Sequence, residues 1–279
     1  MRFQKWQGTG NHHVVVEAAL LPWAMTAARA VVLCDPHTGV GADGVLEIGW
    51  DGGHPRMTVW NADGSVAENC GNGIRIVAAY LHADGRLPDD GLVLTGATRT
   101  WVTMCPDGRV RVRMGRAVLP AGAATQVLRG GRDEVRFTEV SMGNPHAVIS
   151  HADPDAVAGA LGPAVEVDPR FPQRTNVEFM RVEGDGTLTL RVWERGVGLT
   201  QACGTGACAA AVAAVTAGET ASPVTVHLPG GDLVIEVDAE MDVTMTGPAE
   251  QVFSGRTSPA LRARLDAADR GAGVHTATP

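Results

Sequence analysis

Ala202-Cys203-Gly204-Thr205-Gly206-Ala207-Cys208-Ala209-Ala210-Ala211-Val212-Ala213-Ala214-Val215-Thr216-Ala217 carries no charged side chain and runs into Gly218. A glycine just past such a run is a helix stop, so the spacing predicts a helix from about Gly204 to Ala217. The run is apolar on every side and must be buried on every side. Strands wrapped around it would supply that burial. A related stretch lies upstream, where Cys70-Gly71-Asn72-Gly73 opens a second predicted helix to about Ala83, stopped by Gly85.

The two stretches belong to one repeat. At an offset of 133, Gly10-Asn11 falls on Gly143-Asn144, His13 on His146, Val59-Trp60 on Val192-Trp193 and Cys70 on Cys203. Rare residue types coinciding at one offset point to duplication. The β-branched runs Val14–Val16, Val45–Ile48, Met57–Trp60, Val177–Phe179, Leu188–Trp193 and Val224–Leu228 read as strands. Shorter helices are expected at Trp23–Leu33 and Pro154–Leu161. The expected fold is α+β: two pseudo-symmetric lobes, each with mainly antiparallel strands around a central helix, and a ligand between them. Residues 1–117 are read as the N-terminal lobe, which a last strand at about 250–258 also joins. Residues 118–249 are read as the C-terminal lobe and 259–279 as a partly disordered tail.

Composition excludes several classes. The chain has 279 residues, is 44% hydrophobic and 19% charged, and carries a formal net charge of −8. That balance argues against nucleic acid and anionic membrane as partners. Lys5 is the sole lysine, with no phosphate cradle beside it, which argues against pyridoxal phosphate and its Schiff base. The five cysteines are odd in number and widely spaced, unlike a disulfide framework. No basic segment precedes an apolar run, and no run is long enough to span a bilayer, so a cytoplasmic protein is expected. Neither Cys70 nor Cys203 has a second thiol at zinc-site spacing, so no metal is expected.

Cys70 and Cys203 each stand before a Gly-X-Gly that opens a helix. Unpaired N–H groups and the positive end of the dipole converge there. Such a place favours a reactive thiolate and cradles a carboxylate. Two thiols and one bound carboxylate suit inversion of the adjacent carbon. One thiolate removes the α-proton from one face while a thiol delivers a proton to the other, and no cofactor is needed. Cys34, Cys105 and Cys208 lack the matched setting and are read as structural.

Nearly the whole chain resembles the diaminopimelate epimerases, which do not use pyridoxal phosphate. The resemblance rests on Phe3-Gln4-Lys5-Trp6-Gln7-Gly8-Thr9-Gly10-Asn11, Cys34 to Gly44, Asn61-Ala62-Asp63-Gly64-Ser65 and Cys70-Gly71-Asn72-Gly73-Ile74-Arg75. It continues through Gly143-Asn144-Pro145-His146, Thr175-Asn176-Val177-Glu178-Phe179, Glu194 to Gly198 and Ala202 to Gly206. It implies that Cys70 and Cys203 are the acid/base thiols and that Gly71, Asn72, Gly204 and Thr205 cradle the reacting carboxylate. It further implies that Asn11, Asn61, Asn144, Asn176 and Arg195 contact substrate, with Asn61, Asn176 and Arg195 at the distal end. His146 and Glu194 are implied to tune the cysteines or hold an ammonium. A small-molecule substrate and a homodimer are also implied.

The sequence departs from the family pattern at His12, His13, Glu17, Pro36, Leu199, Asn69 and Ile76. His12, His13 and Leu199 lie in or beside site-forming segments and bear on the substrate. Two other readings therefore stand beside the epimerase: a racemase or epimerase of the same family acting on another amino acid, and a non-catalytic amino-acid or metal-binding protein.

Overall fold

The computed structural model describes residues 1–67, 70–96, 98–120, 126–130, 133–184 and 186–269, so Asn69 lies outside the described residues. Their contacts divide the chain into two units, Met1–Pro106 with Ala249–Pro279, and Asp107–Pro248.

The first unit begins with β1 (Arg2–Gly8), β2 (Asn11–Glu17), a 3-10 turn at Ala18–Leu20 and α1 (Ala27–Cys34). It continues with β3 (Gly44–Asp51), β4 (His54–Asn61), β5 (Val66–Ala67), α2 (Gly71–Ala83), β6 (Asp90–Thr95) and β7 (Thr98–Met104). The second unit contains β8 (Val110–Arg116), β9 (Gln126–Gly130), β10 (Asp133–Ser141), β11 (Pro145–Ser150), α3 (Pro154–Glu166), β12 (Asn176–Gly184) and β13 (Thr187–Glu194). It ends with β14 (Gly198–Thr200), α4 (Gly204–Thr216), β15 (Val224–Leu228), β16 (Gly231–Val237) and β17 (Asp242–Gly247). The chain then returns to the first unit with β18 (Glu250–Arg256) and α5 (Pro259–Ala267).

The same ladder is built twice. In the first unit β1–β2 and β3–β4 pair antiparallel, and β2–β3 and β4–β6 pair parallel. In the second, β10–β11 and β12–β13 pair antiparallel, and β11–β12 and β13–β15 pair parallel. The architecture is α+β with mainly antiparallel pairing, as the sequence predicts. The ends of the repeat are exchanged along the chain: β18 pairs with β1, while β8 pairs with β17. That pairing places residues 107–117 with the second unit.

Each predicted central helix is contacted by strands on many sides: α2 by β1, β2, β3, β4, β6, β7 and β18, and α4 by β10 to β13 and β15 to β17. The run Gly206–Ala214 of α4 is buried throughout, which answers its lack of a polar face. Small side chains let strands approach it closely. On the other side of each sheet lies a second apolar layer. Val14, Val16 and Val45 pack with Ala30, Leu33 and Leu265 of α1 and α5, and Phe137, Ile149 and Phe179 with Ala158 and Val165 of α3.

Two helices differ at their ends from the sequence reading, and a further helix stands in the expected tail. α1 starts at Ala27 rather than Trp23 because the Thr26 side chain caps it, accepting from the Arg29 N–H. α3 runs past Leu161 to Glu166 with Pro163 inside it. Within the expected tail, Ser258 caps α5, whose Leu265 is wholly buried. Residues 270–279 lie outside the described residues.

Candidate active site

Both predicted cysteines are helix N-caps. Each has extended backbone, and its sulfur accepts the N–H three residues on: Gly73 N–H to Cys70 Sγ at 3.3 Å, and Gly206 N–H to Cys203 Sγ at 3.4 Å. The helical ladders then begin with Ile74 N–H to Cys70 O and Ala207 N–H to Cys203 O. Gly71 and Asn72, or Gly204 and Thr205, thus occupy the first turn, where N–H groups precede the ladder. Gly73 and Gly206 are dictated by packing. A Cβ on Gly73 would meet Leu46 at 3.0 Å, and one on Gly206 would meet Glu178 Oε1 at 2.8 Å.

In the second unit the sequence picks gather around Cys203. Glu194 bears on the thiol through its charge, and its Oε1 accepts from the Thr200 hydroxyl at 2.8 Å. Thr205 Oγ1 lies 3.5 Å from the sulfur and accepts from Asn144 Nδ2 at 3.4 Å. His146 is completely buried, with Nε2 3.1 Å from Asn144 Oδ1 and Nδ1 2.7 Å from Glu178 Oε1. Contrary to the expectation that its helix start favours thiolate, burial, with Glu194 and Glu178 adding to it, pushes the Cys203 thiol well above its ordinary value. Burial likewise pushes Glu194 up, against its hydrogen bond from Thr200. It pushes Glu178 up against the attraction of His146.

Asn176 and Arg195 form a separate group of the same unit. Asn176 Oδ1 accepts the Arg195 N–H at 3.0 Å, and its Nδ2 donates to Pro145 O at 3.1 Å. The amide thus ties the turn after β13 to the start of β11. The Arg195 guanidinium donates to Gln173 O at 3.2 Å.

The first unit organises Asn11 and Asn72 differently. Completely buried Arg75 donates to Asn72 Oδ1 at 3.0 Å and to Thr9 Oγ1 at 2.9 Å. Asn72 Nδ2 then donates to Asn11 Oδ1 at 3.4 Å, and Asn11 Nδ2 to Asp43 at 2.9 Å. Asn61 closes its own turn, donating from Nδ2 to Ser65 Oγ at 2.9 Å. Among the departures, His12 lies 3.8 Å from Asp43, and His13 is 3% exposed with Nδ1 lacking a partner among the described residues. Glu17 receives both nitrogens of Arg86 and the Tyr80 hydroxyl. Leu199 is 56% exposed.

Contributors not picked out from sequence include Arg75 and Asp43 in the first unit and Glu178, Glu166 and Thr200 in the second. Glu178 carried a signal, being the one acid inside the apolar strand Val177-Glu178-Phe179-Met180. An ionisable group placed there needs a buried partner. Among the described residues no group of three or more His, Cys, Asp or Glu side chains is arranged to hold a metal ion. No helix among them is long and apolar enough to cross a membrane.

A family model described as diaminopimelate epimerase matches residues 3–120 and 138–252. A relative from Desulforudis audaxviator, named diaminopimelate epimerase, is 46% identical over 275 residues, covering 92% of this chain and 99% of its own. One of the same name from Synechococcus sp. is 44% identical over 280 residues, covering 92% and 98%. Solved structures of similar fold include a Bacillus anthracis phenazine biosynthesis protein of the PhzF family, with TM-score 0.72, 13% identity and coverage of 92% and 99%. An Agrobacterium vitis hydroxyproline epimerase gives TM-score 0.69, 16% identity and coverage of 94% and 93%.

Proposed function

The chain belongs to the diaminopimelate epimerase family, and from that premise we propose that it interconverts LL- and meso-2,6-diaminopimelate by two-thiol proton transfer. The observation that carries the mechanism is the matched pair of sulfur N-caps, Cys70 on α2 and Cys203 on α4.

One cysteine, as thiolate, takes the α-proton. The C–H electron pair moves into the adjacent carboxylate as the bond breaks. The other cysteine, as thiol, protonates the opposite face and becomes the thiolate for the return reaction. One proton moves each way and no electrons are lost, so the chemistry calls for neither pyridoxal nor metal. The first-turn N–H groups of Gly71, Asn72, Gly204 and Thr205 stabilise the charge gathering on the carboxylate, because helix starts favour anions. Glu194 and His146 serve the second thiol. Arg195 holds the distal carboxylate, for which its planar fork is suited, alongside Asn61 and Asn176, while Asn11 and Asn144 contact the substrate. The same reading makes the enzyme a cytoplasmic homodimer that binds neither nucleic acid nor membrane. Sedimentation velocity tests the dimer.

Solvent deuterium wash-in tests the reaction. Under reducing conditions, LL- or meso-diaminopimelate acquires deuterium at one α-carbon and changes configuration. Comparable turnover of a mono-amino acid would instead favour the same-family racemase, the reading motivated by His12, His13 and Leu199. No exchange with any amino acid, together with tight binding, would favour the non-catalytic reading.

A further inference from the structure

Five residues of the second unit form one hydrogen-bonded line. Glu178 Oε1 lies 2.7 Å from His146 Nδ1, and His146 Nε2 lies 3.1 Å from Asn144 Oδ1. Asn144 Nδ2 reaches Thr205 Oγ1 at 3.4 Å, and Thr205 Oγ1 lies 3.5 Å from Cys203 Sγ. Glu178 and His146 are both completely buried, and Glu178 Oε2 has no hydrogen-bond partner among the described residues.

Proton counting gives the line a direction. A lone buried carboxylate with an unpartnered oxygen is costly, so the pair is held overall neutral with one shared proton. Either imidazolium faces carboxylate, or neutral imidazole faces a protonated acid that donates to Nδ1. In both forms Nε2 carries a hydrogen and donates to Asn144 Oδ1. The Asn144 amide then presents its NH₂ to Thr205 Oγ1. Thr205, its oxygen accepting from Asn144, turns its single hydrogen toward Cys203.

We propose that Glu178 is a positioning residue for Cys203: it keeps His146 a donor at Nε2, and so directs the Thr205 hydroxyl hydrogen onto the Cys203 sulfur. The sulfur then accepts from Thr205 and from the Gly206 N–H. The first unit solves the same problem with other residues. Leu46 abuts the first-turn Gly73 as Glu178 abuts Gly206, and Arg75 fixes the Asn72 amide instead.

The inference rests on the reading of Cys203 as a proton-transfer group, but it can be tested without substrate. The ionisable groups acting on the sulfur are Glu194 from β13 and Glu178 from β12, and His146 from β11 is hydrogen-bonded to Glu178. Glu178→Gln and Glu178→Leu remove the same charge, but only glutamine can hold Nδ1. Cys203 alkylation by iodoacetamide at pH 8, followed by peptide mass spectrometry, reads its thiolate fraction. We expect Glu178→Leu to alkylate about tenfold more slowly than Glu178→Gln, the equivalent of about one pKa unit. Thr205→Val should be slowed about tenfold relative to Thr205→Ser, and adding it to Glu178→Leu should cost nothing more. Packing alone would shift the melting temperature without separating these rates. Equal rates for the Gln and Leu variants, or independent multiplying effects of Glu178→Leu and Thr205→Val, overturn the proposal. If Glu178→Leu does not fold, the Thr205 pair decides, with equal rates overturning the proposal. A wild-type failure of deuterium wash-in would sink the epimerase reading and leave this comparison standing.

Discussion

The Glu166 carboxylate, at the end of α3, accepts the backbone N–H of Gly196 at 2.9 Å. Its second oxygen accepts the Trp193 indole N–H at 2.7 Å, and the side chain is nearly buried. A helix end thereby holds both sides of the turn that presents Glu194 and Arg195. Glu166→Ala leaves these two donors, and the Arg174 guanidinium at 3.4 Å, without their acceptor. It should cost about 1–3 kcal/mol of stability and lower turnover as the turn loosens. Glu166→Gln keeps one acceptor and should fall between. Thermal unfolding beside steady-state kinetics checks both, and unchanged turnover in a destabilised Ala variant would confine Glu166 to stability.

Replacing either N-cap thiol should end epimerisation without ending folding. Cys70→Ala and Cys203→Ala each lose an acid/base group, and such groups contribute roughly 10²–10⁴-fold to rate. The strands around α2 and α4 are untouched, so circular dichroism should be preserved. Full activity in either variant removes that cysteine from the mechanism.

What the sequence made legible follows from its two strongest signals. The charge-free run after Cys203 needs burial on every side, and that need alone predicts strands around α4. Repeated Trp, His and Cys predicted a duplicated ladder because those side chains occupy equivalent places in both units: Trp60 and Trp193 each donate to a glutamate, Glu47 and Glu166. The repeat hid what the copies do not share. Glu178 stands where the first unit has Leu46, so an offset search passes over it. The exchange of β8 and β18 was partly visible only, because strand pattern records burial and not which neighbour supplies it. Glu166 escaped because a helix-end carboxylate reads as solvated until its donors are seen.

Arg195 should govern selectivity for a substrate with two carboxylates. Its backbone N–H is fixed by Asn176 and one guanidinium nitrogen by Gln173 O, which pre-orders the head. Arg195→Lys keeps the charge but loses the planar fork. KM for diaminopimelate should rise about tenfold with a smaller change in kcat, the pattern of lost ground-state binding. An unchanged KM would place the distal carboxylate elsewhere.

His13 should impose an acid-side loss of stability of its own. Burial pushes its imidazole from 6.5 down to about 4, outweighing the opposing pull of Asp43. Its Nδ1 has no partner among the described residues to offset that. Between those two values the unfolded chain takes up a proton that the folded chain refuses. Stability is therefore full above about pH 6.5, falls as pH drops toward 4, and loses no more from this group below that. The span corresponds to roughly 3 kcal/mol. His13→Phe removes the titration while keeping a buried ring there. Melting temperatures of the wild type and the variant, followed from pH 7 to pH 4, should diverge steadily, with the wild type falling faster. Carboxylates common to both proteins cancel in that difference. Parallel curves would mean that His13 is protonated in the folded state or solvated through motions of β2.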